Sequence, residues 1–199
     1  MLGEVSFKPW CAAKQTMAAA QALREIIEDG VPPSTMSNLV VAVPPPYLKM
    51  VDHGVVAGER ASYLTSVSYQ MALLALHPDA TIDVRQTPES VPAEIRDFMA
   101  KISVRADEDL LRHYPKSWPA HLVVTTALAR HEKLVLHVPG DPERPFDESQ
   151  VAVKFRRLVA PLVGDHASEE LLRLSYAALD GEGAKALLEA MKRSAAALG

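Results

Sequence analysis

The amino-acid sequence predicts an α+β fold, in which an antiparallel sheet carries helices on one face and further helices follow at the C-terminal end. Three observations lead to this prediction. The predicted elements run in the order helix, strand, helices, strands, helices, and the regular strand-helix alternation of a parallel sheet is missing. From Asp147 onward only helical periodicity remains. We expect residues 1–199 to form a single domain of this kind.

The first half of the chain is predicted to contain a helix, a strand and a second, buried helix. Apolar residues recur at helical spacing over residues 13–27, and Gly30 ends the pattern. The run of branched residues 38–43 is cut by three prolines, which is typical of a strand followed by a turn. Segment 64–76 has the length and apolar weight of a buried helix.

The second half is predicted to contain strands first and then only helices. Asp147 and Ser168 are the predicted N-caps of two of these helices. A flexible connection, 81–92, separates the two halves. The predicted elements are a helix at 90–101, strands at 102–105, 121–126 and 133–138, and helices at 148–159, 168–179 and 183–198.

Composition and charge exclude several classes of protein. An apolar share of 48% with 23% charged residues is that of a globular chain and excludes disorder. The net charge of -4, with both signs interspersed, leaves no basic stripe, so we expect no nucleic-acid partner. The only cysteine, Cys11, excludes an internal disulfide, and no signal peptide or apolar span is recognisable. We therefore expect a cytoplasmic protein without a membrane partner.

Motifs for metals and common cofactors are missing from the sequence. The seven histidines are scattered, with no His-Glu-x-x-His or Cys-x-x-Cys pair. Glycine-rich phosphate loops and the Gly-x-Ser-x-Gly elbow are also missing. We expect no metal and no cofactor.

Lys8 stands before Pro9, directly ahead of the first predicted helix. A residue before proline favours extended geometry, and the free amides at a helix N-terminus carry partial positive charge. With Lys14 added, this end of the helix favours a carboxylate and eases the loss of a proton from an ammonium. The alternative is an ordinary surface lysine, with a proline that only starts the helix.

Four motifs in a fixed order carry a resemblance to a known family. They are Lys8-Pro9-Trp10 with Thr16, Ser66-x-x-Tyr69, Tyr114-Pro115 with Trp118-Pro119-Ala120, and Gly140-Asp141-Pro142-Glu143-x-Pro145 followed by Lys154-Phe155. From about Phe7 to its end, the chain resembles the C-terminal domain of the MmgE/PrpD family, which includes 2-methylcitrate dehydratase, cis-aconitate decarboxylase and iminodisuccinate epimerase.

The resemblance implies a two-domain enzyme, of which this chain is the α+β domain that covers the substrate and from which the all-helical N-terminal domain is absent. The family's active-site lysine falls on Lys8 and its active-site tyrosine on Tyr69. We therefore expect Lys8 and Tyr69 to be catalytic, and Lys14, Arg60 and Ser66 to bind substrate. Elimination of water from a citrate-like acid requires a base for a carbon-bound proton and an acid for the leaving hydroxyl. Lys8 could also simply bind a substrate carboxylate.

The chain departs from the family pattern at three positions. Met17 stands where relatives commonly have a histidine, and a thioether cannot transfer a proton. Leu64 stands where a lysine or arginine is common, and Arg60 could supply the missing cation. Cys11 replaces a proline of many relatives.

The sequence leaves two hypotheses about function open. The first is the C-terminal domain of a cofactor-free lyase acting on a small polycarboxylic acid, with a decarboxylase or an epimerase (isomerase) of the same family as alternatives. It predicts a helical partner domain or subunit, no turnover by the isolated chain, and a homodimer. The second is a non-catalytic module for binding or assembly, which Met17 and Leu64 favour.

Overall fold

The computed structural model describes residues 5–83 and 89–196, and within this part it divides into two compact units. The first unit ends at Pro145 and the second begins at Phe146. Each has its own cluster of buried apolar side chains. None of the described helices is both long enough and apolar enough to cross a membrane.

The first unit is built on a four-stranded mixed sheet. Its strands are β1 (Met36–Val43), β2 (Ile102–Ala106), β3 (Ala120–Thr126) and β4 (Arg130–Val135), in the spatial order β2-β1-β3-β4. The β1–β3 and β3–β4 pairs are antiparallel, whereas β1 and β2 are parallel. A parallel pair needs a long crossover, and the helices between β1 and β2 provide it. The α+β prediction is confirmed, with one parallel pair in a sheet that was expected to be antiparallel throughout.

Five α-helices accompany the sheet within the described residues of this unit. They are α1 (Lys14–Glu28), α2 (Leu48–Val51), α3 (Arg60–Thr65), α4 (Val67–Leu76) and α5 (Ala93–Met99). Helix α1 packs on β3 and β4, and α4 packs between α1 and α5. Met17 and Leu23 of α1 are fully buried with Leu39 and Val41 of β1, so the core lies between these helices and one face of the sheet.

Among the boundaries that differ from those predicted, two change the description of the fold. The helix expected over 64–76 is two helices, because Ser66 adopts an extended conformation between α3 and α4 and caps the second. The last strand begins three residues earlier than expected, since the polar run Arg130-His131-Glu132 belongs to β4 and not to a turn. Of the predicted loop 81–92, residues 84–88 lie outside the described part of the chain.

In the second unit the described residues form three helices: α6 (Glu148–Val163), α7 (Asp165–Leu179) and α8 (Ala184–Ala196). Asp147 caps α6 through a capping box with Gln150, which confirms the prediction for that helix. Ser168 is not an N-cap, because α7 begins at Asp165 after Gly164, whose φ of 83° suits a residue without a side chain.

Candidate active site

Residues 7–13 carry Lys8 and are called the lysine segment here. Backbone hydrogen bonds hold this segment at two places. At one end, the Phe7 amide donates to the Gly140 carbonyl at 2.8 Å. At the other end, the Cys11 amide donates to the Thr81 carbonyl at 3.0 Å, and the Ala13 amide donates to the Leu64 carbonyl at 2.9 Å. The segment therefore connects the 138–145 loop with the region around α3 and α4.

Lys14 makes an ion pair at the first of these places. Its Nζ contacts the carboxylate of Asp141, which is only 6% exposed. That carboxylate also accepts hydrogen bonds from Ser6 Oγ at 3.0 Å and from the Val138 amide at 2.9 Å. The charge of Lys14 is thereby neutralised inside the protein, and its contact joins α1 to a loop 127 residues away in sequence.

Lys8 itself is exposed, and its Nζ donates to the carbonyl of Ala12 at 3.0 Å. This bond bends the side chain back along its own segment. Lys8 therefore lies at the surface of the first unit.

Tyr69 lies in the first turn of α4 and is 4% exposed. Its ring meets the ring of Tyr63 in an edge-to-face contact, with centroids 5.0 Å apart and an interplanar angle of 79°. Burial, and secondarily the neighbouring Tyr63, raises the pKa of Tyr69. Its hydroxyl has no hydrogen-bond partner among the described residues. At neutral pH the side chain is thus a protonated phenol with an uncommitted donor.

Ser66 is completely buried between α3 and α4. Its Oγ donates to the His53 carbonyl at 2.7 Å and accepts the Tyr69 amide at 3.4 Å, with Ser68 Oγ a further 3.2 Å neighbour. These contacts fix the start of α4 and hence the position of Tyr69.

A small cavity of about 20 Å³, enough for roughly one water molecule, brings some of these residues together. Arg60 and Tyr69 both line it, and Cys11 brings the end of the lysine segment to the same place. Arg60 is exposed and makes no ion pair within the described part of the chain. Tyr63, Leu64 and Gln70 also line it, and so does one acidic residue, Asp83.

The predicted site residues therefore fall into two groups. Arg60 and Tyr69 share a cavity, whereas Lys8, Lys14 and Ser66 do not line it. Sequence reasoning missed Tyr63 and Gln70, which touch the cavity, and the anchoring role of Asp141. For Asp141 a signal was present, since it lies in the Gly140-Asp141-Pro142 motif; for Gln70 there was none.

Two departures from the family pattern also have a place in the structure. Met17 is fully buried in α1 as part of the core. Leu64 lines the cavity, so an apolar side chain stands where the resemblance leads us to expect a cation. Among residues 5–83 and 89–196, no group of three or more His, Cys, Asp or Glu side chains is arranged to hold a metal ion.

Most of the chain is similar to a known family domain. The family model for the MmgE/PrpD C-terminal domain matches residues 10–177. No curated protein matches the chain.

Proposed function

The chain belongs to the MmgE/PrpD family, and we propose that it is the substrate-covering C-terminal domain of a cofactor-free lyase acting on a small polycarboxylic acid, similar to 2-methylcitrate dehydratase. The observation that carries this proposal is the cavity shared by Arg60 and Tyr69. A guanidinium without an ion pair is suited to a carboxylate, and a protonated phenol is suited to donate to an oxygen.

In this proposal Arg60 binds the substrate and Tyr69 donates a proton to it. Arg60 binds one carboxylate of the substrate at the mouth of the cavity, which orients the molecule. Tyr69 then donates its proton to the substrate hydroxyl as the carbon–oxygen bond breaks, so that water leaves, while a base of the partner domain takes the proton from the neighbouring carbon. The raised pKa keeps the phenol protonated, so it acts as the acid and not as the base in this step.

Lys8 completes the site from the lysine segment. This exposed residue binds a second carboxylate or, if a partner domain buries it, serves in proton transfer. Lys14 contributes indirectly, since its ion pair with Asp141 fixes the segment that carries Lys8.

The remaining catalytic groups would come from an all-helical partner domain or subunit, as the family resemblance implies. We therefore propose that the isolated chain has no turnover and that the working form is a dimer of the assembled protein. The polycarboxylate is closed between the two domains, with this chain supplying one wall.

The test is turnover by the chain assembled with its helical partner from the native source. 2-Methylcitrate, cis-aconitate and iminodisuccinate are supplied separately, and the products distinguish dehydratase, decarboxylase and epimerase. We expect Tyr69→Phe and Lys8→Met each to lower turnover by about 100-fold or more, the usual contribution of acid–base groups. The midpoint of thermal unfolding should change little, because neither hydroxyl nor ammonium holds a helix in place.

Tyr176→Phe is the matched control, because it removes a phenol from α7 in the second unit. Its turnover should equal that of the unaltered protein. Unchanged turnover in both Tyr69→Phe and Lys8→Met would remove these residues from the mechanism, and turnover by the isolated chain would contradict the need for a partner.

A non-catalytic module for binding or assembly is the second candidate. Leu64 favours it, because this apolar residue lines the cavity where a second cation would help to bind a polyacid. This candidate predicts that the assembled protein binds cis-aconitate, in a manner that Arg60→Gln weakens, without converting any of the three acids.

A further inference from the structure

Tyr63 and Gln70 lie on either side of Tyr69 and line the same cavity. Tyr63 belongs to α3, and Gln70 follows Tyr69 in α4. Both side chains are buried, with 3% and 2% exposed. Neither was singled out by the sequence, and both have defined contacts.

The amide of Gln70 joins the two helices across the break at Ser66. Its Nε2 donates to the main-chain carbonyl of Tyr63 at 2.7 Å. The bond fixes where Tyr63 lies relative to the turn of α4 that carries Tyr69. The Tyr63 ring then stands edge-to-face against the Tyr69 ring, which limits the directions that the Tyr69 phenol can take.

The other atom of the same amide is unfavourably placed. Gln70 Oε1 is buried without a hydrogen-bond partner among the described residues. A buried polar atom without a partner destabilises a fold, and an apolar side chain of similar length would avoid this. The presence of a glutamine at this position is therefore best explained by the hydrogen bond from its Nε2 to the Tyr63 carbonyl.

We infer that Tyr63 and Gln70 are positioning residues for Tyr69: the Gln70 amide fixes Tyr63, and the Tyr63 ring orients the Tyr69 phenol toward the cavity. The inference rests on the proposed function only in taking Tyr69 as the reacting group. It adds two residues to the site that act through Tyr69 and not on the substrate.

The test observes Tyr69 directly in the full chain. Tyrosine labelled with carbon-13 at Cζ gives one signal for each of the five tyrosines, and the Tyr69 signal is the one lost in Tyr69→Phe. In Gln70→Met, which keeps length and removes the donor, we expect that signal to shift and the pKa of Tyr69 to fall toward its ordinary value.

Gln21 supplies a matched control. It is also 2% exposed, and its Oε1 is likewise buried without a partner, but its Nε2 donates to Glu25 in α1 at 2.9 Å. Gln21→Met should leave both the Tyr69 signal and the pKa of Tyr69 unchanged. An equal effect of the two variants would reduce the role of Gln70 to core packing and would overturn the inference.

Two further variants decide the question if Gln70→Met does not fold. Gln70→Asn keeps an amide that is too short to reach Tyr63. Tyr63→Leu removes the ring that stands against Tyr69 and keeps the main-chain carbonyl that Gln70 contacts. Both should lower the pKa of Tyr69, and an unchanged Tyr69 titration in either variant would refute the inference for that residue. Because no step of the measurement needs substrate, a failure here is distinct from a failure of the proposed lyase activity.

Discussion

The two ends of the lysine segment differ in how their polar groups are satisfied. At the Asp141 end, the carboxylate is buried and contacts Lys14, Ser6 Oγ and the Val138 amide. At the cavity end, Arg60 has no ion pair and the Tyr69 hydroxyl has no partner within the described residues. A satisfied charge holds structure in place, whereas an unsatisfied one is available to a ligand. The comparison separates residues that hold the structure of the site, such as Asp141 and Lys14, from residues that can bind a ligand, such as Arg60 and Tyr69.

The strongest way to break this comparison is to remove Asp141. Asp141→Ala leaves the Lys14 ammonium and the Val138 amide without their partner. We expect the free energy of unfolding to fall by about 2 to 3 kcal/mol, less than for a fully buried pair because Lys14 keeps 21% of its side-chain exposure. Urea unfolding followed by circular dichroism measures the loss.

Arg60→Gln is the matched variant at the other end. It should change the free energy of unfolding by no more than about 0.5 kcal/mol, since an exposed side chain without an ion pair contributes little. Equal losses in the two variants would contradict the division between a structural end and a free end.

A second variant sharpens the comparison at the start of α4. Ser66→Ala removes the cap of the helix and the donor to the His53 carbonyl, so stability should fall by about 1 kcal/mol. The exposed strand residue Ser37 serves as control, and Ser37→Ala should have a smaller effect in the same urea experiment. A Ser66→Ala variant as stable as the parent would exclude the capping role.

The smallest expected effect is a dependence on alkaline pH. The folded chain raises the pKa of Tyr69, so the unfolded chain loses this proton at a lower pH than the folded chain does. The stabilising contribution is complete below the ordinary tyrosine pKa of about 10 and is lost as pH rises through the folded pKa. Tyr69→Phe should therefore lose less stability between neutral pH and about pH 11, and Tyr176→Phe should behave like the parent.

The fold class was predictable from sequence because it depends on the order of elements. Branched residues before the three prolines give β1, and helical periodicity after Asp147 gives the second unit. The parallel pairing of β1 with β2 was not predictable, since it depends on a crossover whose path is set by tertiary packing. The break at Ser66 was missed because most residues of segment 64–76 are apolar and predict one continuous buried helix. Serine is nevertheless a common N-cap, and Ser66 has this role in α4.

The site was predictable only in part. Tyr69 and Arg60 were singled out by resemblance and by charge, and they share a cavity, while their roles remain predictions. The partner of Lys14 lies 127 residues away, so no local pattern could reveal that its charge is already neutralised. Gln70 was missed because a glutamine within an apolar helix gives no signal until its contact with Tyr63 is known.

The outer strand β4 bears on how copies of this chain can meet. Among the described residues it pairs on one side only, and it carries the charged side chains of Arg130, Glu132 and Lys133. Lys133 also pairs with Asp29, the residue that follows α1, at 3.3 Å. Charged residues on an outer strand oppose the addition of a further strand from another molecule. Addition of a strand along β4 is therefore disfavoured, and a dimer would have to form through a different surface.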